Sequence, residues 1–559
     1  MFTSIYSGAV CGIDGQIVCV EADISDGFPT YSLVGYLASE VKEARERVTA
    51  ALKNSGYRVP AKKIIINLSP AGMRKQGTAY DLPIALAILG SLGVIPQKKL
   101  QSVFAVGELS LDGSLRPVKG ILPLILMAKK KGFSKCIIPA QNVREACLAK
   151  RSLEGEPEII GISDLKSAWN YFSGKGQNAA GIFQGKGANG AGGRSITQET
   201  AAWLPKQEKI RVSAGGLALD KEGQKIAPYG DFSEIVGQEM LKRAITVAVS
   251  GMHHLLMIGP PGSGKSMSAR AIRGILPPMT FEESLEVTQL YSVAGILGPE
   301  CTLVTQRPFR SPHHTIPIKA MTGGGRIASP GEISLAHRGI LFMDELAEFP
   351  PAVLEILRQP LEEGVITINR LHGSFVFPAS FMLVAAMNPC KCGYYPDKSR
   401  CRCTPQEVYH YLHRISRPLW NRIDVCVEVH PPMENIYKKE DIFNRKKQDL
   451  GGGLNSQTMA LQVKGAREIQ AQRFLHNGIY FNSEMPAAMV DKYCLTVDSA
   501  QGYADKLAKM LDLSMRGKHK LMKVARTIAD LEGSERIRQE HMDEAACYRM
   551  IEKSYWEFE

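Results

Sequence analysis

Residues 388–405 read NPCKCGYYPDKSRCRCTP, and Cys390, Cys392, Cys401 and Cys403 fall within fourteen positions. The other eight of the twelve cysteines are spread thinly. The spacing is C-x-C, eight residues, C-x-C. Four thiolates in one hairpin-sized loop suit a tetrahedral Zn²⁺ site, although the one-residue gaps are shorter than the two to four of zinc ribbons. Reduced surface thiols and a redox switch are the competing readings.

A second constellation handles phosphate. GPPGSGKS spans Gly259, Pro260, Pro261, Gly262, Ser263, Gly264, Lys265 and Ser266, and satisfies G-x-x-x-x-G-K-[ST] in full. It follows the apolar run HHLLMI and precedes the helical run MSARAIRGIL, the context this loop needs. Its backbone N–H groups would converge on the phosphates of ATP, with Lys265 on the β- and γ-phosphates and Ser266 on Mg²⁺. In GILFMDELAEF an apolar strand ends in two acids. Asp344 would sit beside Mg²⁺ and Glu345 would polarise the attacking water. SFMLVAAMN ends in Asn388. A parallel sheet would bring that amide to the γ-phosphate.

These strand ends need a fold that lines them up. The 559 residues are 44% hydrophobic and 22% charged, enough for several packed cores. A net charge of +12 points to an anionic partner, most often nucleic acid. MFTSIYSGAVCGIDGQ lacks the basic and apolar regions of a signal peptide, and no apolar run reaches the roughly 20 residues of a membrane span. The expected location is therefore cytoplasmic, where a cysteine cluster is better read as a metal site than as a disulfide frame.

Residues 173–194, SGKGQNAAGIFQGKGANGAGGR, read as a flexible linker that extends to about 230. Before it lies an α/β unit over 1–172, with hairpin turns expected at Asp14-Gly15 and Asp112-Gly113. From 231 to 435 strands and helices alternate, which predicts a largely parallel sheet. From 455 to 559 the pattern is helical. EEGVITINRLHGSFVFPAS alternates around Leu371-His372-Gly373 and predicts an inserted β-hairpin. The segment 292–326 is a second insert, with Arg307, Arg310, His313, His314, Lys319 and Arg326 forming a cationic face suited to phosphates, or alternatively a packing loop with solvated charges.

DFSEIVGQE, FRSPHHT, GEISLAHRGILFMDELAEF, AAMNPCKCGYY and LMKVARTIADLEGS together resemble the YifB/ComM family of magnesium-chelatase-like AAA+ ATPases. The resemblance covers nearly the whole chain outside the glycine-rich seam. It implies an AAA+ core with a C-terminal helical lid, an ATP- and Mg²⁺-dependent hydrolase and a homo-hexameric ring. It also implies action on DNA, as a helicase promoting branch migration in natural transformation. A chelatase-type motor subunit working on a protein partner is the alternative. In PLWNRID the resemblance gives Arg422 the part of an arginine finger reaching a neighbour's nucleotide. Asn421 stands where an Asp is usual, and Arg417 is the other candidate. In LSMRGKHK it makes Arg516 the second sensor. GELSLDGSLRPVKGILP and GTAYDLPIALAIL resemble the Lon protease domain, of the ribosomal S5 type. There the Ser and Lys of protease chemistry are replaced by about Ala79 and Leu122, so the domain is expected to be a catalytically dead scaffold.

Overall fold

The computed structural model describes residues 1–149, 157–173, 182–185, 230–298, 303–325, 328–370, 373–430, 454–475 and 477–556. The N-terminal strands are β1 (Phe2–Cys11), β2 (Asp14–Ser25), β3 (Thr30–Val34), β4 (Lys63–Ser69), β5 (Val103–Ala105), β6 (Glu108–Leu109), β7 (Leu115–Arg116), β8 (Lys135–Pro139), β9 (Glu158–Ile162) and β10 (Ile182–Gly185). Eight of them form one mixed sheet in the order β10-β9-β8-β5-β1-β2-β4-β3. The wholly buried helix Asp81–Ser91 packs on its central strands, β1 and β2. β6 and β7 make a small separate hairpin that contains Asp112-Gly113.

The first hairpin turns elsewhere than expected. Cys11 pairs with Asp14, so the two connecting residues are Gly12 and Ile13, and Asp14-Gly15 already belongs to β2. Gly12 supplies the positive φ (65°) that a two-residue hairpin turn requires. It is also pressed against the carbonyl of Val376, which would lie 2.7 Å from a Cβ at this position. Inside the glycine-rich seam, Ile182–Gly185 pairs antiparallel with β9 as an edge strand. Its Ile and Phe are the apolar residues that the seam's composition obscures. Residues 174–181 and 186–229 of the expected linker, Arg326 and Leu371-His372 lie outside the described residues.

The second part begins with β11 (Leu255–Ile258) and continues through β12 (Phe309–Arg310), β13 (Gly323–Gly324), β14 (Ser329–Pro330), β15 (Ile340–Met343), β16 (Val365–Arg370), β17 (Gly373–Pro378), β18 (Met382–Met387) and β19 (Val425–Glu428). Five of these form a parallel sheet ordered β12-β15-β18-β11-β19. Its central strands are buried on both faces, which is why they read as unbroken apolar runs. Alternate residues feed two cores. Leu255, Met257, Phe342 and Val384 face one. Leu256, Ile258, Leu341 and Ala385 face the other. β16 and β17 form the expected hairpin.

The C-terminal helices, Ser456–Arg473, Ala487–Tyr493, Tyr503–Met510, Met515–Leu531 and Gln539–Trp556, extend the first of those cores. A polar clasp fixes them to the N-terminal edge of the parallel sheet. Asp424 accepts from the backbone N–H of His254 (3.0 Å) and from the Lys520 ammonium (2.6 Å). Despite burial, Lys520 and the neighbouring histidines hold the Asp424 carboxyl well below the usual range. The N-terminal part is seated on the helix Phe281–Ala294. Gly120 N–H donates to the Ser292 carbonyl (3.1 Å), the Ser292 hydroxyl donates to Glu145, and Leu285 enters the N-terminal core. Leu122 is fully buried there and Ala79 is packed beside it.

Candidate nucleotide site

Parallel strands end on one side, so β11, β18 and β15 deliver Gly259, Asn388 and Asp344-Glu345 to a single edge. The phosphate loop turns through Gly262 (φ 75°) and Gly264 (φ 90°), backbone that side chains with a Cβ adopt poorly. Lys265 opens the next helix. Its ammonium donates to the carbonyls of Gly259 (2.7 Å) and Pro260 (2.8 Å) and to Asn388 Oδ1 (3.3 Å). Burial pushes this lysine down to about 8, with Asp344 pulling the other way. The Ser266 hydroxyl donates to Asp344 Oδ2 at 2.6 Å, while Asp344 Oδ1 accepts the Glu345 N–H at 3.0 Å. Glu345 has left-handed backbone (φ 52°, ψ 49°) and turns its carboxylate outward, 56% exposed. A hydroxyl and a carboxylate in contact, with an ammonium alongside, form a donor set suited to Mg²⁺ and a triphosphate.

The cysteine loop leans on this edge. A Cβ on Gly393 would fall 2.5 Å from Pro261 Cδ and 3.8 Å from Asn388 Cγ. The sulfurs of Cys390, Cys392, Cys401 and Cys403 all lie within 4.8 Å of one another, and three pairs are at 3.3, 3.5 and 3.8 Å. A tetrahedral zinc site with bonds of about 2.3 Å requires sulfurs about 3.8 Å apart. The four therefore fit one ion. The Tyr395 N–H donates to Cys390 Sγ (3.4 Å), the kind of contact that supports a thiolate ligand.

Other expected site residues lie apart from the phosphate loop. Arg422 precedes β19, at the opposite edge of the sheet. Its guanidinium donates to the carbonyls of Arg358 (3.1 Å) and Pro418 (2.7 Å) and pairs with Glu362. Arg516 pairs with the other oxygen of the same carboxylate (2.9 Å) and is 82% exposed. Both arginines, with the exposed Arg417, line a cavity of about 1200 Å³ that none of the phosphate-loop residues enters. The expected cationic face of the second insert needs correction. Arg307 is buried, with two nitrogens on Glu283 (2.8 and 3.0 Å), and Arg310 is clamped on Glu332 by two bonds of 2.6 Å. Lys319 is the lysine that stays exposed. Sequence reasoning missed Glu362, which joins the two arginines. It also missed the placement of His314, whose ring reaches Glu345.

The family described as magnesium chelatase, subunit ChlI, matches residues 231–436; related families match 20–142 and, as the ChlI C-terminal part, 453–549. Competence protein ComM of Haemophilus influenzae is 37% identical over 98% of this chain and 97% of its own length. Protein YifB of Escherichia coli is 37% identical with the same coverage. The chain belongs to the ComM/YifB family. The magnesium-chelatase 38 kDa subunit of Cereibacter sphaeroides is more distant, 25% identical over 56% of this chain. The fold is accordingly an AAA+ one with a C-terminal helical part, and the family is one of ATP-driven motors that use ATP and Mg²⁺. Among the described residues no helix is long and apolar enough to cross a membrane.

Proposed function

We propose that this chain is a DNA motor: a homo-hexameric ring whose ATP hydrolysis drives unwinding or branch migration during recombination of incoming DNA. The observation that carries the ring is the separation of Lys265 from Arg422 and Arg516. β11 and β19 run parallel in register, Leu255 beside Val425 and Ile258 beside Glu428. The phosphate loop follows one end and Arg422 precedes the other, about 13 Å away at 3.3 Å per residue. That separation supports a role for Arg422 at the nucleotide of a neighbouring subunit, with Arg516 joined to it through Glu362.

In this reading Lys265 clamps the β- and γ-phosphates, Ser266 and Asp344 hold Mg²⁺, Glu345 orients the attacking water and Asn388 senses the γ-phosphate. The four cysteines hold a structural Zn²⁺ that fixes the loop after Asn388. DNA as the polymer is supported by the charge of +12 and by the name of the Haemophilus relative, a competence protein. The N-terminal α/β part is a scaffold, with Ala79 and Leu122 where a Ser-Lys protease would need its reacting groups. The 38 kDa chelatase subunit supports a motor acting on a protein partner instead, but 44% of this chain lies outside that alignment.

The test is ATP hydrolysis with and without single-stranded and forked DNA, over a range of salt, on protein whose assembly with ATP is followed by sedimentation. The expected result is a six-membered ring stimulated by DNA, with an effect that falls steeply with salt. A ring whose ATPase no DNA form changes would overturn the DNA reading in favour of the protein-partner motor.

A further inference from the structure

Arg422 lies in the turn that leads from the short helix Arg417–Trp420 into β19. Its side chain and its backbone are held by different groups. The guanidinium is on the carbonyls of Arg358 and Pro418 and on Glu362. The Arg422 carbonyl accepts from the Lys520 ammonium at 2.6 Å, and the same ammonium donates to Asp424 Oδ1 at 2.6 Å. The next carbonyl, that of Ile423, accepts from the Arg549 guanidinium at 2.6 Å. Two consecutive peptide units of the turn are thus each gripped by a cation, one from the helix Met515–Leu531 and one from Gln539–Trp556.

Lys520 stands one helical turn after Arg516, so the two side chains leave the helix on the same face. Arg516 meets Glu362 at 2.9 Å, and the other oxygen of that carboxylate takes the Arg422 guanidinium. One face of one helix therefore reaches Arg422 at both ends, directly at its carbonyl and through a shared acid at its guanidinium. Asp424 alone would give Lys520 a partner for seating the helix. The second bond, to the carbonyl of Arg422 itself, ties the ammonium to the arginine's backbone.

Hydrogen bonds from a charged donor are short and strong. The peptide unit is planar, so an ammonium that fixes the carbonyl of residue 422 fixes that plane and restrains the direction in which the side chain leaves Cα. Direction matters for a guanidinium that must meet a phosphoryl group across a subunit boundary. A displacement of about 1 Å at a reacting centre can cost about 100-fold in rate.

We propose that Lys520 is a positioning residue: through the Arg422 carbonyl it sets the direction in which that arginine projects towards the neighbouring subunit's nucleotide. This rests on the reading of Arg422 as a group acting in trans and adds the means by which the C-terminal helices hold it in place.

The experiment measures kcat and KM for ATP in wild type, Lys520→Met and Lys523→Met, and phosphate release when Lys520→Met is mixed one to one with Lys265→Ala or with Arg422→Ala. Circular dichroism checks each fold and labelled subunits show co-assembly. If Lys520→Met does not fold, Lys520→Gln, which keeps a donor for one of the two oxygens, takes its place. Lys520→Met should lower kcat about 10- to 100-fold with KM for ATP within about twofold, because its own phosphate loop lies at the other end of the strands. Lys523, one turn nearer the helix centre, reaches the Ser483 carbonyl instead (3.0 Å), so Lys523→Met should stay within about threefold of wild type. Lys520→Met should regain activity with Lys265→Ala, which supplies an intact arginine, and not with Arg422→Ala, which supplies only an intact loop. Added to Arg422→Ala, Lys520→Met should slow the enzyme no further than about twofold, since nothing is left to position.

A folded Lys520→Met within threefold of wild type would overturn the inference, as would an equal loss in Lys523→Met. So would recovery with Arg422→Ala in place of Lys265→Ala, because that places the defect at the variant's own phosphate loop. Any of these leaves the reading of Arg422 standing. If Arg422→Ala itself fails to complement Lys265→Ala in proven mixed rings, that reading falls and this inference falls with it.

Discussion

Removing Arg422 tests whether each active site is shared between two subunits. Its guanidinium is anchored at the sheet edge opposite its own phosphate loop, by Glu362 and the carbonyls of Arg358 and Pro418. Arg422→Ala should therefore bind ATP normally but lose the charge that stabilises the transferring phosphoryl group next door. An arginine finger contributes about 10³-fold or more, so kcat should fall by roughly that factor, about 4 kcal/mol. Lys265→Ala should be inactive for the opposite reason, since it keeps Arg422 but lacks the phosphate clamp. Mixed one to one, the two dead proteins should regain activity. A site works where an intact loop from one variant meets an intact arginine from the other, about one interface in four in a randomly mixed ring. The assay is phosphate release across mixing ratios, with labelled subunits to show co-assembly. No recovery in proven mixed rings would refute the trans assignment. Arg417 is the control, because it lies exposed on the rim of the same cavity. If Arg417→Ala complements Lys265→Ala and Arg422→Ala does not, the finger is Arg417.

Three further outcomes are expected. Glu345→Gln should still bind ATP and slow hydrolysis about 100-fold or more, measured by nucleotide retention and phosphate release. Protein prepared without chelators should carry about one Zn²⁺ per chain, and Cys401→Ser with Cys403→Ser should abolish it by metal analysis. That change should also slow hydrolysis, because Gly393 of the same loop packs on Pro261. The core should also lose stability in mild acid through His254. Its Nδ1 accepts the Leu383 N–H (3.1 Å), and burial pushes it from 6.5 down to about 4. A histidine with a depressed folded value is protonated first in the unfolded chain. Its contribution is therefore complete above pH 6.5 and is lost as pH falls towards 4, about 3 kcal/mol at 1.36 kcal/mol per pH unit. Thermal unfolding across that window should show the drop in the wild type and a flatter profile in His254→Gln.

The phosphate loop, the paired acids and Asn388 could be read from the sequence because each is a local pattern tied to a strand end. A parallel sheet then brings strand ends together whatever their distance along the chain. Local signals fail where a residue's role depends on a partner far away in sequence. Asp14-Gly15 is a good turn pair, but β1 and β2 pair through Cys11 and Asp14, and the tip must be Gly12 because the Val376 carbonyl stands over it. Arg307 and Arg310 look like free charges in a basic insert until Glu283 and Glu332, 24 and 22 residues away, take them up. His314 belongs to the same basic run. Its contact with Glu345 depends on a two-residue strand too short to leave any periodic trace.

The same distinction separates the two arginines from the rest of the site. Their side chains suit phosphate anywhere, and only the sheet's direction says which phosphate they can reach. Glu362 is what joins Arg422 to Arg516, and it sits at the end of the helix Arg358–Glu363, directly before the β16–β17 hairpin. The carboxylate that holds both arginines thus lies three residues before the first strand of the hairpin. On the other side the insert that touches this hairpin also carries His314, which reaches Glu345. The hairpin thus adjoins Glu362 on one side and, through Arg370 at Gly324, the segment that follows His314 on the other.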